Sequence, residues 1–293
     1  MKVSIATALV LIYSFLTSCK EVDPSVIKNL NNGNIWVIGH AGIGMQTGRN
    51  PIPSNSEQSI QKAIEAYNAD GSEVDIQLSK DSILVLFHDD FMDQRTDCFG
   101  CINEKNYDEI NSCKYHKDFA VNSFREEPVI AFEHILEKYK NTVHKPLLFL
   151  DIKIFESCNQ KTPEYIRRFT MHLVRVLLKY DLSERAFIET DDEQFIKNIR
   201  MFDTERRLKI LKSASGDDYE VSKQFAIKYE LDGIEMYNTS LTKENVTDAH
   251  NKGLLVIIFD TKDRKSIIEA VEKHPDGIET DNIPLLQNVL SKQ

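Results

Sequence analysis

The chain has 293 residues, 41% of them hydrophobic and 28% charged, and its formal net charge at pH 7 is −10. This acidic balance argues against nucleic-acid binding, which needs a basic face, and any anionic ligand would need a local cation at its site. The length suits one α/β barrel of ~250 residues behind a short leader.

The first residues have the features of a secretory signal. Lys2 gives a positive start, and the apolar run over residues 5–16 is too short to span a membrane comfortably. Because the segment ends at Cys19, it resembles a bacterial lipobox, in which that cysteine is lipidated. An ordinary signal peptide with an incidental cysteine is the alternative. We expect a lipoprotein signal peptide over residues 1–19 and a polar tether over residues 20–33.

This leader also predicts the localisation of the protein. We expect export and a lipid anchor in the bacterial cell envelope, at the outer membrane, and the sequence leaves open whether the protein faces the periplasm or the surface. The membrane is then a partner through the lipid on Cys19. No protein partner is implied.

The first helical pattern follows a predicted strand at residues 35–42. Apolar residues from Ile60 to Tyr67 recur at i, i+3, i+4 and i+7, which is typical of an amphipathic helix. Ser54 and Glu57 have the spacing of a capping box at its start, and Gly71 is expected to end it.

Strand-like and helical segments alternate to the end of the chain. This alternation predicts a parallel sheet, and about eight such units predict a closed (β/α)8 barrel over residues 34–293. An open, doubly wound sheet is the alternative, but no Gly-x-Gly-x-x-Gly turn follows the first strand. The other predicted strands are 72–78, 83–89, 147–153, 186–190, 207–213, 231–238, 254–260 and 276–281.

Residues 90–127 break the rhythm and are predicted to form an insertion that caps the barrel after His88. They are polar, poorly periodic and rich in cysteine. Zinc binding and disulfides both fit the spacing, and disulfides are favoured in an exported protein. Four cysteines allow three pairings, which stay open: Cys98, Cys101, Cys113 and Cys158.

Carboxylates occur where strands of this barrel should end. Glu73 and Asp75 are two residues apart and therefore leave the same face of one strand, and Asp151 and Lys153 do the same on another. Active sites of such barrels lie at the carboxyl ends of the strands. Three carboxylates there predict a site for one hard divalent cation, Mg²⁺ or Ca²⁺. The alternative is structural: Asp75 pairs with Lys153, and Glu73 points outward.

The motifs resemble those of the glycerophosphodiester phosphodiesterases. The family pattern runs His-Arg-Gly, Pro-Glu-Asn-Thr, Glu-x-Asp, His-Asp, Glu-x-Lys and a closing Asp-Gly-x-x-Thr-Asp-x-Pro. This chain has "GHAG", "PSNSEQSI", "SEVDIQLSKDSILVLFHDD", "LFLDIK" and "DGIETDNIP" in the same order. The resemblance spans nearly all of residues 34–290 and implies a TIM barrel of the phospholipase-C-like type, a divalent metal and attack on a phosphodiester.

The resemblance also implies roles for individual residues. His40 and His88 match the acid/base histidines, and histidine suits proton transfer at neutral pH. Lys153 matches a substrate-side cation, and Asn55 matches the asparagine of Pro-Glu-Asn-Thr. The matched metal ligands are Glu73, Asp75 and Asp151.

Two positions depart from the family pattern. Ala41 stands where the family has an arginine, so a bidentate phosphate contact is missing, and Arg49 in the next loop is the candidate replacement. Asp151 replaces a glutamate, which shortens one metal ligand by a methylene.

Three functions follow as hypotheses. The first is a metal-dependent, lipid-anchored phosphodiesterase that hydrolyses small-molecule glycerophosphodiesters to an alcohol and glycerol phosphate. The second, motivated by Ala41, is a phosphodiester-binding lipoprotein with weak or no turnover. The third is a related phospholipase, which would need an exposed apolar patch at the mouth.

Overall fold

A computed structural model describes residues 27–47, 50–116, 126–143, 145–214, 216 and 218–291. The predicted signal peptide, the lipid anchor at Cys19 and the replacement role of Arg49 fall outside these residues and stay predictions.

Eight strands of the described chain form a closed parallel barrel. They follow the order β1-β9-β8-β7-β6-β5-β4-β2, and β2 pairs with β1 to close the circle. The predicted barrel is therefore confirmed, with helices between successive strands. The strands are β1 (Trp36–Gly39), β2 (Gly71–Leu78), β3 (Leu84–Leu86), β4 (Leu147–Ile152), β5 (Ala186–Glu189), β6 (Lys209–Lys212), β7 (Gly233–Tyr237), β8 (Leu255–Thr261) and β9 (Gly277–Thr280).

Strand β3 lies outside the barrel. It pairs with β2 in antiparallel register, with Ile76 opposite Leu86. The Ser79 amide donates to the Ile83 carbonyl at 2.9 Å, and Ser82 takes a φ of 68° in this tight turn. So short a connection cannot make a parallel crossover, which needs a dozen or more residues.

The helices cover the outside of the barrel with their apolar faces. In α4, Phe169, Leu173 and Leu177 recur every four residues, and all three are fully buried. The α-helices are α1 (Glu57–Gln61), α2 (Tyr107–Ser112), α3 (Phe132–Tyr139), α4 (Pro163–Lys179), α5 (Glu193–Phe202), α6 (Tyr219–Lys228), α7 (Lys243–Asn251), α8 (Arg264–Val271) and α9 (Ile283–Ser291).

The predicted boundaries of the first helix were wrong. Ser56 caps α1 and accepts from the Ser59 amide at 3.2 Å, whereas Ser54 accepts from the Gln46 amide at 3.0 Å. The helix continues as a π-helical turn over Lys62–Ala66. Asn68, with a φ of 50°, follows the last helical turn, and Gly71, which was expected to end the helix, is the first residue of β2.

The lower interior of the barrel is a packed apolar core. Phe149 and Phe187 stack with ring centroids 4.7 Å apart, and Trp36 lies 5.5 Å from Phe187. Ile38, Leu211 and Ile257 fill the same region and are fully buried. The polar site is therefore confined to the carboxyl end of the strands, which we call the mouth of the barrel.

The insertion at residues 90–127 has a small core of its own beside the mouth. Met92, Ile102 and Ile110 are fully buried in a cluster with Phe87 of the segment after β3. The disulfide interpretation of the cysteines is confirmed, since Cys98 bonds Cys113 and Cys101 bonds Cys158. The second bond ties the insertion to the loop after β4, and neither pair leaves thiols for zinc.

Residues 27–33, assigned to the tether from sequence, pack against the barrel instead. The Leu30 amide donates to Asp276 Oδ1 at 2.7 Å, and Asn29 Nδ2 donates to the Pro275 carbonyl at 2.8 Å. Both acceptors lie just before β9, at the end of the barrel opposite the mouth. Among the described helices, none combines the length and apolarity that a bilayer crossing requires.

Candidate active site

His40 lies directly after β1 and is fixed by a residue from the far end of the chain. Its Nδ1 is 2.8 Å from Asp281 Oδ1, and its ring meets Phe259 edge-on at 5.0 Å. Burial opposes ionisation of Asp281, but the hydrogen bond and charge of His40 outweigh it and lower the pKa of that carboxyl. His40 is therefore held in one orientation at the mouth.

Three carboxylates meet beside it, as the strand pattern predicts. Glu73 and Asp75 both point inward from β2 and are only 3% and 2% exposed. Asp151 stands opposite Asp75 in the parallel register of β2 and β4. One oxygen from each lies within 4.8 Å of the others, and we call these three residues the mouth carboxylates.

Asp75 is held on both of its oxygens. Asn55 Nδ2 donates to Asp75 Oδ2 at 2.6 Å, and Lys153 Nζ lies 3.0 Å from Asp75 Oδ1. The same ammonium lies 2.5 Å from Asp151 Oδ2. Part of the structural alternative is thus correct, because Lys153 pairs with two of the mouth carboxylates.

Glu73 does not share that ion pair, and it does not point outward. Its Oε2 accepts from the Ala41 amide at 2.7 Å, while its buried Oε1 has no hydrogen-bond partner. A buried carboxylate oxygen without a donor is costly. The orphaned oxygen and its two acidic neighbours fit a hard divalent cation, which prefers oxygen ligands.

The charges of the mouth carboxylates and of Lys153 strongly influence one another. Burial, followed by repulsion from Asp75, raises the pKa of Glu73 well above its ordinary value. Burial also disfavours the Lys153 ammonium, but Asp75 and Asp151 outweigh it and raise the pKa of Lys153 well above its ordinary value. Ionisation of Glu73 is therefore disfavoured unless a cation lies beside it.

His88 comes after β3 and Phe87, and it lines the same small cavity as Asn55. Its Nδ1 is 2.7 Å from Asp89 Oδ1, and Arg95 Nε donates to Asp89 Oδ2 at 2.8 Å. Gln77 Nε2 holds this turn by donating to the carbonyls of Phe87 and Asp89 at 2.9 and 2.8 Å. The hydrogen bond that His88 donates to Asp89 outweighs burial and raises the pKa of His88.

Ala41 occupies the position at which the family has an arginine. Its side chain is fully buried, and its backbone has a φ of 46°. Another arginine, Arg95, lines a small cavity together with His88 and Asn55. A guanidinium is thus present at the mouth, although it is engaged by Asp89.

Several residues of the candidate active site were not predicted from the sequence. Asp281 and Asp89 were visible as acids near strand ends, but their pairing with the two histidines depends on the fold. Arg95 carried no signal at all within the polar insertion. Three further buried glutamates line the barrel below the mouth carboxylates: Glu189, Glu235 and Glu279.

The profile of the Glycerophosphoryl diester phosphodiesterase family matches residues 46–285, which is most of the chain. The chain belongs to this family. It is therefore an enzyme of the glycerophosphodiester phosphodiesterase type, and the resemblance seen in its motifs is confirmed.

Individual relatives are similar to this chain over most of its length, and the solved structures among them share its fold. A protein named glycerophosphodiester phosphodiesterase from Caldanaerobacter subterraneus subsp. tengcongensis is 23% identical over 261 residues, 87% of this chain and 98% of the relative. A Parabacteroides distasonis glycerophosphodiester phosphodiesterase superposes with a TM-score of 0.70 at 21% identity, covering 88% of this chain and 98% of that one. An Oleispira antarctica phosphodiesterase, solved with its product sn-glycerol-3-phosphate, gives a TM-score of 0.72 at 17% identity, covering 87% and 96%.

Proposed function

We propose that the protein hydrolyses glycerophosphodiesters to an alcohol and glycerol phosphate, using one divalent cation, Mg²⁺ or Ca²⁺, and two histidines. The observation that carries this proposal is the arrangement at the mouth. His40 and His88, each held by an aspartate through Nδ1, lie at the same rim as the mouth carboxylates. Family membership and the product complex of the Oleispira relative support this reaction class.

Glu73, Asp75 and Asp151 are the residues that would hold the cation. When bound, it would neutralise the phosphodiester charge and polarise the phosphoryl group. Asn55 positions Asp75 through its side-chain amide, and Lys153 adds a positive charge on the substrate side.

The two histidines divide the proton transfers. Nδ1 of each ring is engaged by an aspartate, and no described residue hydrogen-bonds either Nε2, so Nε2 is the nitrogen available to the substrate. Asp89 favours the protonated form of His88, which suits it to protonate the leaving alkoxide. His40 deprotonates the attacking hydroxyl, which in this family is the glycerol hydroxyl next to the phosphate. This attack releases the alcohol and forms a cyclic phosphate, which water then opens to give glycerol phosphate.

The test uses protein lacking residues 1–19 and glycerophosphocholine as substrate. We expect release of choline that stops with EDTA and returns with Mg²⁺ or Ca²⁺. His40→Ala and His88→Ala should each lower kcat by ~10²-fold or more. His172→Ala, on the outside of α4, is the matched control. Full activity in either mouth variant would refute the assigned roles.

One observation speaks against a phospholipase that binds intact lipids. Within the described part of the insertion, Phe99 is the one large apolar side chain that is strongly exposed, at 75%. A single side chain is not the contiguous apolar patch that a membrane-binding rim requires. Small, deacylated substrates therefore fit the mouth better.

We also propose export and lipid anchoring at Cys19 in the cell envelope. The lipobox-like segment motivates this, and two disulfides support an oxidising compartment. Full-length protein expressed in a bacterium should label with radioactive palmitate and sediment with membranes. Cys19→Ala should abolish the label, and a Cys19→Ala variant that still labels would contradict the assignment.

A further inference from the structure

The barrel interior contains a complete layer of glutamates directly beneath the mouth. Side chains inside a (β/α)8 barrel form layers of four, contributed by alternate strands. Strands β2, β5, β7 and β9 are alternate strands here, and each contributes a glutamate: Glu73, Glu189, Glu235 and Glu279. The layer below it is apolar, with Ile38, Phe149, Leu211 and Ile257 from the other four strands.

The strand registers place these four glutamates at one level. Glu189 pairs with Leu211 and Leu211 with Gly233, so Glu235 is two residues further along β7. Each step from one of the four strands to the next has the same two-residue offset, which is the stagger of a closed barrel. The four side chains therefore converge on the barrel axis.

All four carboxyls are buried, and four of their oxygens have no hydrogen-bond donor among the described residues. Exposure is 3% for Glu73, 0% for Glu189, 7% for Glu235 and 1% for Glu279. Both oxygens of Glu189 and Oε1 of Glu279 accept no hydrogen bond. Glu235 Oε2 accepts from the Ala214 amide at 3.0 Å. No described lysine, arginine or histidine forms an ion pair with any of the four.

Such a cluster is strongly destabilised if its members are ionised and nothing compensates them. Burial, together with repulsion from neighbouring carboxylates, opposes ionisation of Glu189, Glu235 and Glu279. Either protons or a cation must relieve this repulsion. Glu189, completely buried and unpartnered on both oxygens, is the side chain that most requires a ligand.

We propose that Glu189, Glu235 and Glu279 bind a second hard divalent cation inside the barrel, below the ion at the mouth. One oxygen from each lies within 4.8 Å of the others, and Ca²⁺, with ligand distances of ~2.3–2.6 Å, spans up to about 5 Å between opposite oxygens. An all-oxygen, anionic site selects Ca²⁺ over softer metals. Glu73 belongs both to the mouth carboxylates and to this layer of glutamates, and its buried Oε1 has no hydrogen-bond partner.

Ion counting tests this site without relying on catalysis. Protein lacking residues 1–19 is dialysed to equilibrium against Ca²⁺, and bound calcium per chain is measured. We expect two ions in the wild type, one in Glu189→Gln/Glu279→Gln, and one in Asp75→Asn/Asp151→Asn. The control Glu244→Gln, exposed on α7, should keep two. The same ion count in the wild type and in the Glu189→Gln/Glu279→Gln variant, or no bound ion in the wild type, would overturn the proposal.

A second measurement covers the case in which the glutamine variant does not fold. The Asp75→Asn/Asp151→Asn protein lacks the site at the mouth, so any rise of its Tm with Ca²⁺ comes from the deeper site. We expect such a rise, and no response to Ca²⁺ would refute the deeper site. Failure of the mouth site alone would leave one ion in the wild type and none in Glu189→Gln/Glu279→Gln. Failure of the deeper site alone would leave one ion in both proteins.

Discussion

Asn55 and Asp75 exchange two hydrogen bonds. The Asn55 amide nitrogen donates to Asp75 Oδ2 at 2.6 Å, and the Asp75 backbone amide donates to Asn55 Oδ1 at 3.0 Å. Asn55 takes a left-handed backbone conformation, with a φ of 61°, to reach this position. The loop before α1 thus fixes the orientation of a mouth carboxylate on β2.

Asn55→Gly should weaken metal dependence while keeping the loop. Glycine tolerates the positive φ, so the change removes the amide that orients Asp75 and leaves the backbone unstrained. We expect half-maximal activity to need ~10–100 times more Mg²⁺ or Ca²⁺. Asn68→Gly, which also replaces an asparagine of positive φ, is the matched control. Equal metal dependence in the two variants would argue against the role of Asn55.

Asp89→Asn should move the alkaline limb of the pH–rate profile to lower pH. Asp89 raises the pKa of His88, and an acid that must be protonated loses activity as pH rises through its pKa. Removing the carboxylate lowers the pKa of His88, so activity should be lost earlier as pH increases. The measurement is kcat/KM against pH, with Asp93→Asn in the same insertion as control. An unmoved alkaline limb would exclude His88 as the acid.

Lys153→Met should separate metal binding from catalysis. Its ammonium pairs with Asp75 and Asp151, so it competes with a cation for those oxygens. Without it, calorimetry should show Ca²⁺ binding at least as tightly, while kcat/KM falls by ~10²–10³-fold because the phosphate loses a charge partner. Lys153→Arg keeps the charge and should recover part of the rate. Loss of Ca²⁺ affinity in Lys153→Met would contradict this reading.

The two disulfides should differ in their effect on stability. Cys101 and Cys158 are 57 residues apart, and Cys98 and Cys113 are 15 apart. Loop entropy predicts that replacing Cys101 and Cys158 by serine costs about 1 kcal/mol more than replacing the other pair. Urea unfolding of both double variants under oxidising conditions measures the difference. A larger loss from the Cys98–Cys113 pair would show that local strain or packing dominates.

The barrel and the mouth carboxylates were predictable because their signals are local. The strands are short β-branched or apolar runs, and the two-residue spacing of Glu73 and Asp75 fixes their common face. Errors arose where two local signals compete. Ser54 and Ser56 are both good N-caps, and only the bond from the Gln46 amide to Ser54 shows which one remains free for the helix.

The long-range partners could not be predicted in this way. His40 and Asp281 are 241 residues apart in sequence, and nothing near either one indicates the other. The same holds for Glu189, Glu235 and Glu279, each a single glutamate in its own strand. Only closure of the barrel, with its regular stagger, brings them to one level on the axis.

The docking of residues 27–33 has a geometric consequence for an anchored enzyme. Leu30 is bound at Asp276, under the barrel floor, and the chain from Cys19 to Ile27 can extend at most about 28 Å. With its lipid in the bilayer, the protein would have the end of the barrel opposite the mouth next to the membrane, and the mouth would face the aqueous side. It would then collect water-soluble headgroup esters released from lipids rather than draw whole lipids out of the leaflet beneath it.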